Sequence, residues 1–220
     1  MARRSKQSAA QGATAARNGR GAESQRQAEV LQLAAGLFAR DGYNATTVRD
    51  IADAAGILSG SLYHHFRSKE AIADAILSAF LDEILGRYDE IVAADGSARE
   101  TFEALATASL LAMEQHQEAI VIYQNDGRHL AQLERFAYLA DAGRRFEQAW
   151  VGVLQRGVEE GEFRRSLEPG LTYRFIRATL WTVARWYRPG GSQSAQEIAE
   201  QYLSILLDGI ARGKRKRAKD

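Results

Sequence analysis

The chain of 220 residues contains no cysteine and only two prolines. Without cysteine it can form no disulfide, use no thiol in catalysis and bind no zinc through thiolates. So little proline, together with no sustained alternation of apolar and polar residues, predicts an all-α protein. The sequence also lacks an apolar run of the roughly 18 residues that a transmembrane helix needs, and its N-terminus lacks the apolar stretch of a secretory signal. We therefore expect a cytoplasmic protein that does not enter a membrane.

The net charge is small, but it is unevenly distributed along the chain. The total is +1, yet residues 1–22 carry five basic side chains and no acid, and residues 211–220 carry six basic side chains and one acid. Each end therefore contributes +5, and residues 23–210 carry the remaining −9. Basic ends on an acidic body favour attraction to a polyanion, although ends that are merely disordered and solvated explain the composition equally well.

Helical periodicity runs through most of the chain, and glycine, serine and aspartate clusters interrupt it. No internal repeat is present. The predicted helices cover approximately 23–40, 47–55, 58–65, 68–92, 97–116, 117–125, 131–160, 169–187 and 194–211.

The most specific segment is GYNATTVRDIADAAGILSGSLYHHFRSKE, residues 42–70. Thr47 is placed to cap a short helix, with Asp50 in the capping-box position, and Gly56 supplies the left-handed residue of a tight turn. A second short helix follows, and it is predicted to face the first through Leu58, Leu62, His65 and Phe66. The residues on its other face are small or form hydrogen bonds. This composition favours a helix that enters the major groove of DNA over a helical hairpin whose outer face is merely solvated. The predicted DNA-contacting residues are Tyr43, Thr47, Arg49, Ser59, Gly60, Ser61, Tyr63, His64 and Lys69.

This segment resembles the DNA-binding signature of TetR-type repressors: glycine and an aromatic, Thr-Thr-Val, Ile-Ala, Ala-Gly, Leu-Tyr-His-His-Phe and Ser-Lys-Glu. Leu58 departs from the serine usual in the family and removes a cap from the second helix. The resemblance implies a repressor that binds palindromic operator DNA as a homodimer. We accordingly expect a disordered basic arm over 1–22, a helix-turn-helix domain over 23–70, a helical ligand-binding and dimerisation domain over 71–210 and a basic tail over 211–220.

The segment YRFIRATLWTVARWYRPGG, residues 173–191, combines an apolar helical pattern with four arginines and no acid. At 100° per residue one arc of less than a quarter-turn holds Arg174, Arg177, Trp181, Arg185 and Arg188. Such like charges repel one another unless an anion binds or neighbouring helices supply acids, for which the candidates are Glu159, Glu160 and Glu162. Guanidinium groups bind phosphates and a tryptophan stacks on planar rings, so the arc predicts a ligand such as coenzyme A.

Two apolar faces are candidates for a dimer interface. The side of the same helix opposite the arc, predicted to be core or interface, holds Phe175, Ile176, Leu180, Val183, Trp186 and Tyr187. The last helix carries an apolar stripe of Ala199, Tyr202, Leu203, Leu206 and Ile210. Together these faces could form a four-helix interface between two copies, although part of each stripe is expected to belong to the core.

The C-terminal phrases VIYQN, RGVEEGEFRRSL, YRFIRATLW and VARWYRPGG resemble the actinobacterial TetR-type regulators of late cholesterol catabolism, the degradation of steroid rings C and D. That resemblance implies an acyl-CoA effector, a CoA thioester of a ring-degraded steroid propionate. It also implies that Arg177 and Trp181 are the main recognition residues and that Arg185 assists them.

Three alternatives remain open from the residues alone: a helical CoA-binding enzyme, a constitutive DNA-packaging protein and a regulator of another lipid pathway. The four histidines, at 64, 65, 116 and 129, follow no metal-binding spacing, and no glycine-rich phosphate loop occurs. We therefore expect no enzymatic activity, metal or cofactor.

Overall fold

The computed structural model describes residues 23–210, and in this range the fold is all-α, as predicted. The basic arm and the basic tail expected at 1–22 and 211–220 lie outside the described residues. The helices are α1 (23–41), α2 (Val48–Ala54), α3 (Ser59–His65), α4 (Lys69–Ala93), α5 (Ala98–Leu111), α6 (Met113–Leu130), α7 (Tyr138–Glu159), α8 (Pro169–Trp186) and α9 (Ala195–Ile210), with a short 3-10 turn at Glu134–Phe136.

The predicted signals at the start and end of α2 are confirmed. The Thr47 hydroxyl accepts a hydrogen bond from the Asp50 amide at 3.2 Å, and the Asp50 carboxylate accepts one from the Thr47 amide at 2.8 Å. These bonds, from the Thr47 hydroxyl first and its backbone second, hold the pKa of Asp50 below its usual value. After α2, Gly56 has a φ of 65°, a left-handed conformation in which a residue with a side chain would be strained. The glycine therefore lets the chain turn sharply into α3.

The described residues form two compact units, and the chain passes from the first to the second within α4, between Ile76 and Leu77. The sequence places the boundary at residue 70, at the start of the same helix. The first unit has a small apolar core of side chains that are almost completely buried, including Val30, Phe38, Ile51 and Leu62.

An aromatic cluster forms the centre of the second unit. Trp150 of α7 packs edge-on against Tyr88 of α4 and Phe102 of α5, with ring centroids 6.3 and 5.4 Å away. The Trp150 indole donates to the Tyr88 hydroxyl at 3.0 Å, and this hydroxyl lies 2.6 Å from that of Ser109. Burial of the Tyr88 ring raises its pKa to about 12. The cluster fixes α4, α5 and α7 around one core.

Helix α6 is continuous in its hydrogen bonding but kinked. His116 has non-helical angles, with φ −125° and ψ 22°, at the position where the sequence predicts a break between two helices. The second part extends to Leu130, five residues beyond the predicted end at 125. That extension matters because it adds Gly127 and Arg128 to one wall of the cavity described below.

Candidate functional site

Helix α3 has one buried and one open face. Leu62 is fully buried in the core of the first unit. Gly60, Tyr63 and His64 are exposed, as predicted for a face that contacts DNA. Ser59 and Ser61 are partly exposed beside them. The side chains on the open face are therefore small at the start of the helix, and they let its backbone approach another surface closely.

Leu58 does not face α2, so the prediction for this residue is wrong. Its side chain is 80% exposed, and its backbone is extended, with φ −69° and ψ 144°. The helical wheel assumes a regular helix through Leu58, but α3 begins only at Ser59. Leu58 instead occupies the N-cap position, where it provides no side-chain hydrogen bond, as the sequence predicts.

Tyr43 and Lys69 hold together the loop that precedes α2. The Lys69 ammonium donates to the backbone oxygens of Tyr43 at 2.8 Å and Thr46 at 2.9 Å, and it lies 4.2 Å from the centroid of the Tyr43 ring. Tyr43 itself is only 3% exposed. Both residues thus fix the entrance to α2, and the contacts predicted between them and DNA remain predictions.

Arg49 of α2 is presented to solvent. Its closest carboxylate is that of Asp53, one turn along, at 3.7 Å, and both side chains are largely exposed. An exposed pair of this kind contributes only about 0–1 kcal/mol, so a phosphate can displace it. The geometry therefore leaves Arg49 available for the predicted contact.

The second unit contains an open cavity of about 880 Å³ between α6, α7 and α8. Four residues of the predicted arc line it together: Arg174, Arg177, Trp181 and Arg185. The opposite wall, from α6, adds Tyr123, Gln124, Asn125 and Arg128. Four guanidinium groups and two aromatic rings thus surround one space.

Arg188, the fifth residue of the predicted arc, does not line this cavity, and its placement on the wheel is wrong. Helix α8 ends at Trp186, and Tyr187 has φ −59° and ψ 139°, which takes the chain out of the helical path. Gln117 of α6 stabilises this end because its amide donates to the backbone oxygens of Ala184 at 2.8 Å and Tyr187 at 2.7 Å.

The cavity arginines have no acidic partners among residues 23–210: no ion pair within 4.0 Å involves Arg128, Arg174, Arg177 or Arg185. Two acids that could have neutralised the arc are used elsewhere. Glu162 accepts from the Arg99 amide at 2.7 Å, and Glu159 accepts from Gln155 at 3.1 Å. Arg185 instead donates to the side-chain oxygen of Asn125 at 3.0 Å. The site is therefore strongly positive.

Trp181 separates the arginine cavity from the apolar interior. Its ring lies 5.5 Å from that of Tyr123 and 5.9 Å from that of Phe146, measured between centroids. On its other side it borders an enclosed apolar space of about 20 Å³ with Phe80, Met113 and Leu180. Burial raises the pKa of Tyr123, an effect that the positive charge of Arg177 partly opposes.

Comparison with known proteins establishes the family. Residues 30–76 match the model of bacterial regulatory proteins of the tetR family, and residues 95–210 match that of the tetracyclin repressor-like C-terminal domain. The chain belongs to the TetR family of transcriptional regulators. This membership confirms the predictions of a helix-turn-helix repressor and of a regulator rather than an enzyme.

Several TetR-family relatives are similar over nearly their whole length. The transcriptional repressor KstR2 of Rhodococcus jostii is 53% identical over 86% of this chain and 93% of its own. The structure of the ketosteroid transcriptional regulator KstR2 of Mycobacterium tuberculosis is 50% identical over 85% of this chain and 95% of its own, with a TM-score of 0.82. AibR, solved with isovaleryl coenzyme A and operator DNA, shares the fold at 20% identity, with a TM-score of 0.68 over 82% of this chain and 97% of its own. The predicted resemblance to regulators of steroid catabolism is confirmed.

The α6 wall of this TetR-type cavity was not predicted. Tyr123 and Gly127 are one turn apart, and a Cβ atom on Gly127 would lie 3.3 Å from the Tyr123 ring, so the glycine provides room for that ring. An aromatic residue followed four positions later by glycine, and then by Arg128, is a signal that could have been used.

Within residues 23–210, none of the helices is both long and apolar enough to cross a membrane.

Proposed function

We propose that this TetR-family repressor binds palindromic operator DNA as a homodimer and is released from it by an acyl-CoA, a CoA thioester of a steroid-ring degradation intermediate. It would thereby control genes of cholesterol and steroid catabolism in the cytoplasm. The observation that carries this proposal is the cavity of about 880 Å³, whose four arginines form no ion pair with any acid among residues 23–210. Its volume falls within the range of roughly 300–1,000 Å³ that ligand pockets span.

The chemistry of the cavity matches the nucleotide half of coenzyme A. Arginines bind phosphate oxygens with two parallel hydrogen bonds, and the ligand carries a pyrophosphate and a ribose phosphate. Arg128 of α6 and Arg185 of α8 lie on opposite walls, so an anion between them would relieve the repulsion among the cavity arginines. Tyr123 and Trp181 offer ring faces on which the adenine can stack.

The acyl half calls for an apolar surface, and Trp181 lies between the charged cavity and the apolar interior. The enclosed space behind it, about 20 Å³, is far too small for a fused ring system. Binding of such an acyl group would therefore displace the Trp181 ring, and the structural change would be coupled to ligand size. The ketosteroid regulator at 50% identity supports a steroid-derived acyl group, and the AibR complex supports an acyl-CoA in this fold.

Exposed apolar residues on α8 and α9 support the homodimer. Leu171, Phe175 and Trp186 of α8 are 49%, 65% and 51% exposed, and Ile205 of α9 is 65% exposed. The predicted stripe of α9 is partly core: Ala199 is fully buried, whereas Tyr202, Leu203 and Leu206 are partly exposed. A second copy covering these faces would remove the exposed apolar surface and bring two α3 helices to one palindrome.

The test is a titration of the purified full-length protein with a panel of thioesters. The panel contains a steroid-ring propionyl-CoA, isovaleryl-CoA, palmitoyl-CoA, free coenzyme A and the free steroid acid, each measured by calorimetry and by release of labelled operator DNA. Tight binding and release only by the steroid thioester support the proposed effector and its effect on operator binding. Release only by another thioester supports a regulator of a different lipid pathway, and no response to any thioester refutes the acyl-CoA effector.

A further inference from the structure

Leu58, the N-cap residue of α3, places a large apolar side chain at the N-terminal end of the open face of this helix. Leu58 is 80% exposed, which makes it the most exposed of the large hydrophobic side chains described within 23–208. It precedes Ser59, whose side chain is too small to cover it, and Gly60, which has no side chain. An added Cβ atom on Gly60 would have no neighbour within 4 Å, so this end of the helix is open to an approaching surface.

The stability of the protein alone does not account for a leucine at this position. Leu58 is the N-cap residue of α3, and it makes no side-chain hydrogen bond to the helix. Serine at an N-cap accepts such a bond and stabilises the helix, and an exposed leucine adds little to any core. A contact made outside the free protein does account for it.

The position of Leu58 is held firmly despite its exposure. Its backbone oxygen accepts from the amide of Ser61 at 2.9 Å and from that of Leu62 at 3.2 Å, and Leu62 is fully buried. In helix-turn-helix proteins the N-terminal residues of the second helix contact base edges in the major groove. In the proposed complex with operator DNA, Leu58 would reach that groove together with Ser59 and Gly60.

We propose that Leu58 recognises a thymine in each half of the operator by packing on its C5 methyl group. Among the four bases only thymine presents a methyl group in the major groove, and apolar side chains contact it there. The inference rests on the DNA-binding function proposed above and adds to it a residue that determines sequence preference.

The experiment begins by selecting bound sequences from a random DNA pool with the full-length protein. In the selected operator each thymine is then replaced singly by deoxyuridine, which removes the methyl group and leaves base pairing unchanged. We expect one position in each half-site at which this replacement weakens binding about fourfold, because burial of one methyl-sized group contributes about 0.8 kcal/mol. L58A should bind the thymine and deoxyuridine operators equally at that position.

Two further variants separate recognition from folding. L58S restores a capping residue, so its thermal unfolding temperature should equal or exceed that of the wild type while its thymine preference disappears. L133A removes another exposed leucine, outside the helix-turn-helix, and should keep the wild-type preference. If deoxyuridine at every position costs the wild type and L58A the same, Leu58 does not read thymine. If the wild type selects no sequence at all, the DNA-binding proposal itself fails.

Discussion

Replacing Arg177 with methionine tests the charged cavity most directly. The change removes one guanidinium from the lining and keeps an unbranched apolar side chain. A charge-assisted hydrogen bond to phosphate contributes about 1.5–3 kcal/mol, so acyl-CoA affinity should fall roughly 10- to 150-fold. Calorimetry at low salt measures the change, and the difference should shrink as salt is added because the cavity is open to solvent.

Without ligand, R177M is expected to leave the stability of the protein unchanged or to increase it. Arg177 makes no ion pair among residues 23–210 and shares the cavity with three other arginines. Removing it relieves repulsion, so the thermal unfolding temperature of R177M without ligand should equal or exceed that of the wild type. A clear drop in that temperature with unchanged ligand affinity would show that Arg177 stabilises the fold and does not bind the effector.

Arg188 supplies the matched control. It lies on the same segment and is exposed, but it falls outside the cavity because α8 has already ended. R188M should therefore bind acyl-CoA like the wild type, and R185M should weaken binding less than R177M. W181A should weaken binding about as much as R177M if the Trp181 ring, once displaced, packs on the bound ligand. The reasoning from the cavity would be refuted if R188M reduced the affinity as much as R177M does, since only an uninterrupted helix would place both residues in one site.

Three further experiments test other parts of the molecule. In α3, Ser61→Arg or Tyr63→Ala should abolish operator binding in a mobility-shift assay while circular dichroism and gel filtration show an unchanged, folded protein; normal binding by both variants would remove α3 from the DNA site. Deletion of residues 1–22, with their five basic side chains, should make the salt dependence of operator affinity less steep, by about 0.9 in log–log slope for each phosphate that these side chains neutralise. An unaltered slope would mean that this segment does not bind DNA. Thr47→Ala should lower the free energy of unfolding by about 1 kcal/mol in a urea titration. The hydrogen bonds from Thr47 lower the pKa of Asp50 in the folded protein. Their contribution to stability is therefore fully present above the pKa of Asp50 in the unfolded chain and is lost as the pH falls through its lower pKa in the folded protein. A Thr47→Ala effect on the free energy of unfolding that is the same at neutral and at acid pH would contradict this account.

Local signals predicted the helix-turn-helix well because each one acts over only a few residues. The capping box of Thr47 and Asp50 requires a spacing of three, and the turn at Gly56 requires a residue that tolerates positive φ. The arc of Arg174, Arg177, Trp181 and Arg185 was predictable for a similar reason, since one regular helix fixes the directions of all four side chains.

The two wrong placements have a common physical cause. Leu58 and Arg188 lie just beyond the ends of α3 and α8, where the backbone leaves the helical conformation. A helical wheel continues the rotation of 100° per residue past these ends, although the hydrogen bonds that enforce it have stopped. Sequence patterns locate a helix end only to within a few residues, so residues at such ends cannot be assigned to a face.

The α6 wall of the cavity could not be located from periodicity alone. Arg128 faces the arc only because α6 and α8 pack together, and their relative rotation depends on side chains far apart in sequence. Gln124 donates to the backbone oxygen of Trp181 at 2.8 Å, and Gln117 donates near the end of α8, so two glutamines set this packing. Neither residue type nor spacing marks these glutamines as interhelical contacts before the fold is known.

These same glutamines bear on how a ligand could change the rest of the molecule. A nearly complete switch between two states needs about 5.5 kcal/mol of differential affinity, more than one arginine–phosphate bond provides. An acyl group that displaces Trp181 would first strain the bonds from Gln124 and Gln117 to α8, and Gln117 immediately follows the kink of α6 at His116. The His116 ring in turn lies 2.9 Å from the carboxylate of Glu83 on α4, the helix through which the chain enters this unit. The phosphates would thus supply affinity in both states, whereas displacement of Trp181 would favour one state, so loss of an arginine should weaken binding more than it weakens the maximal response.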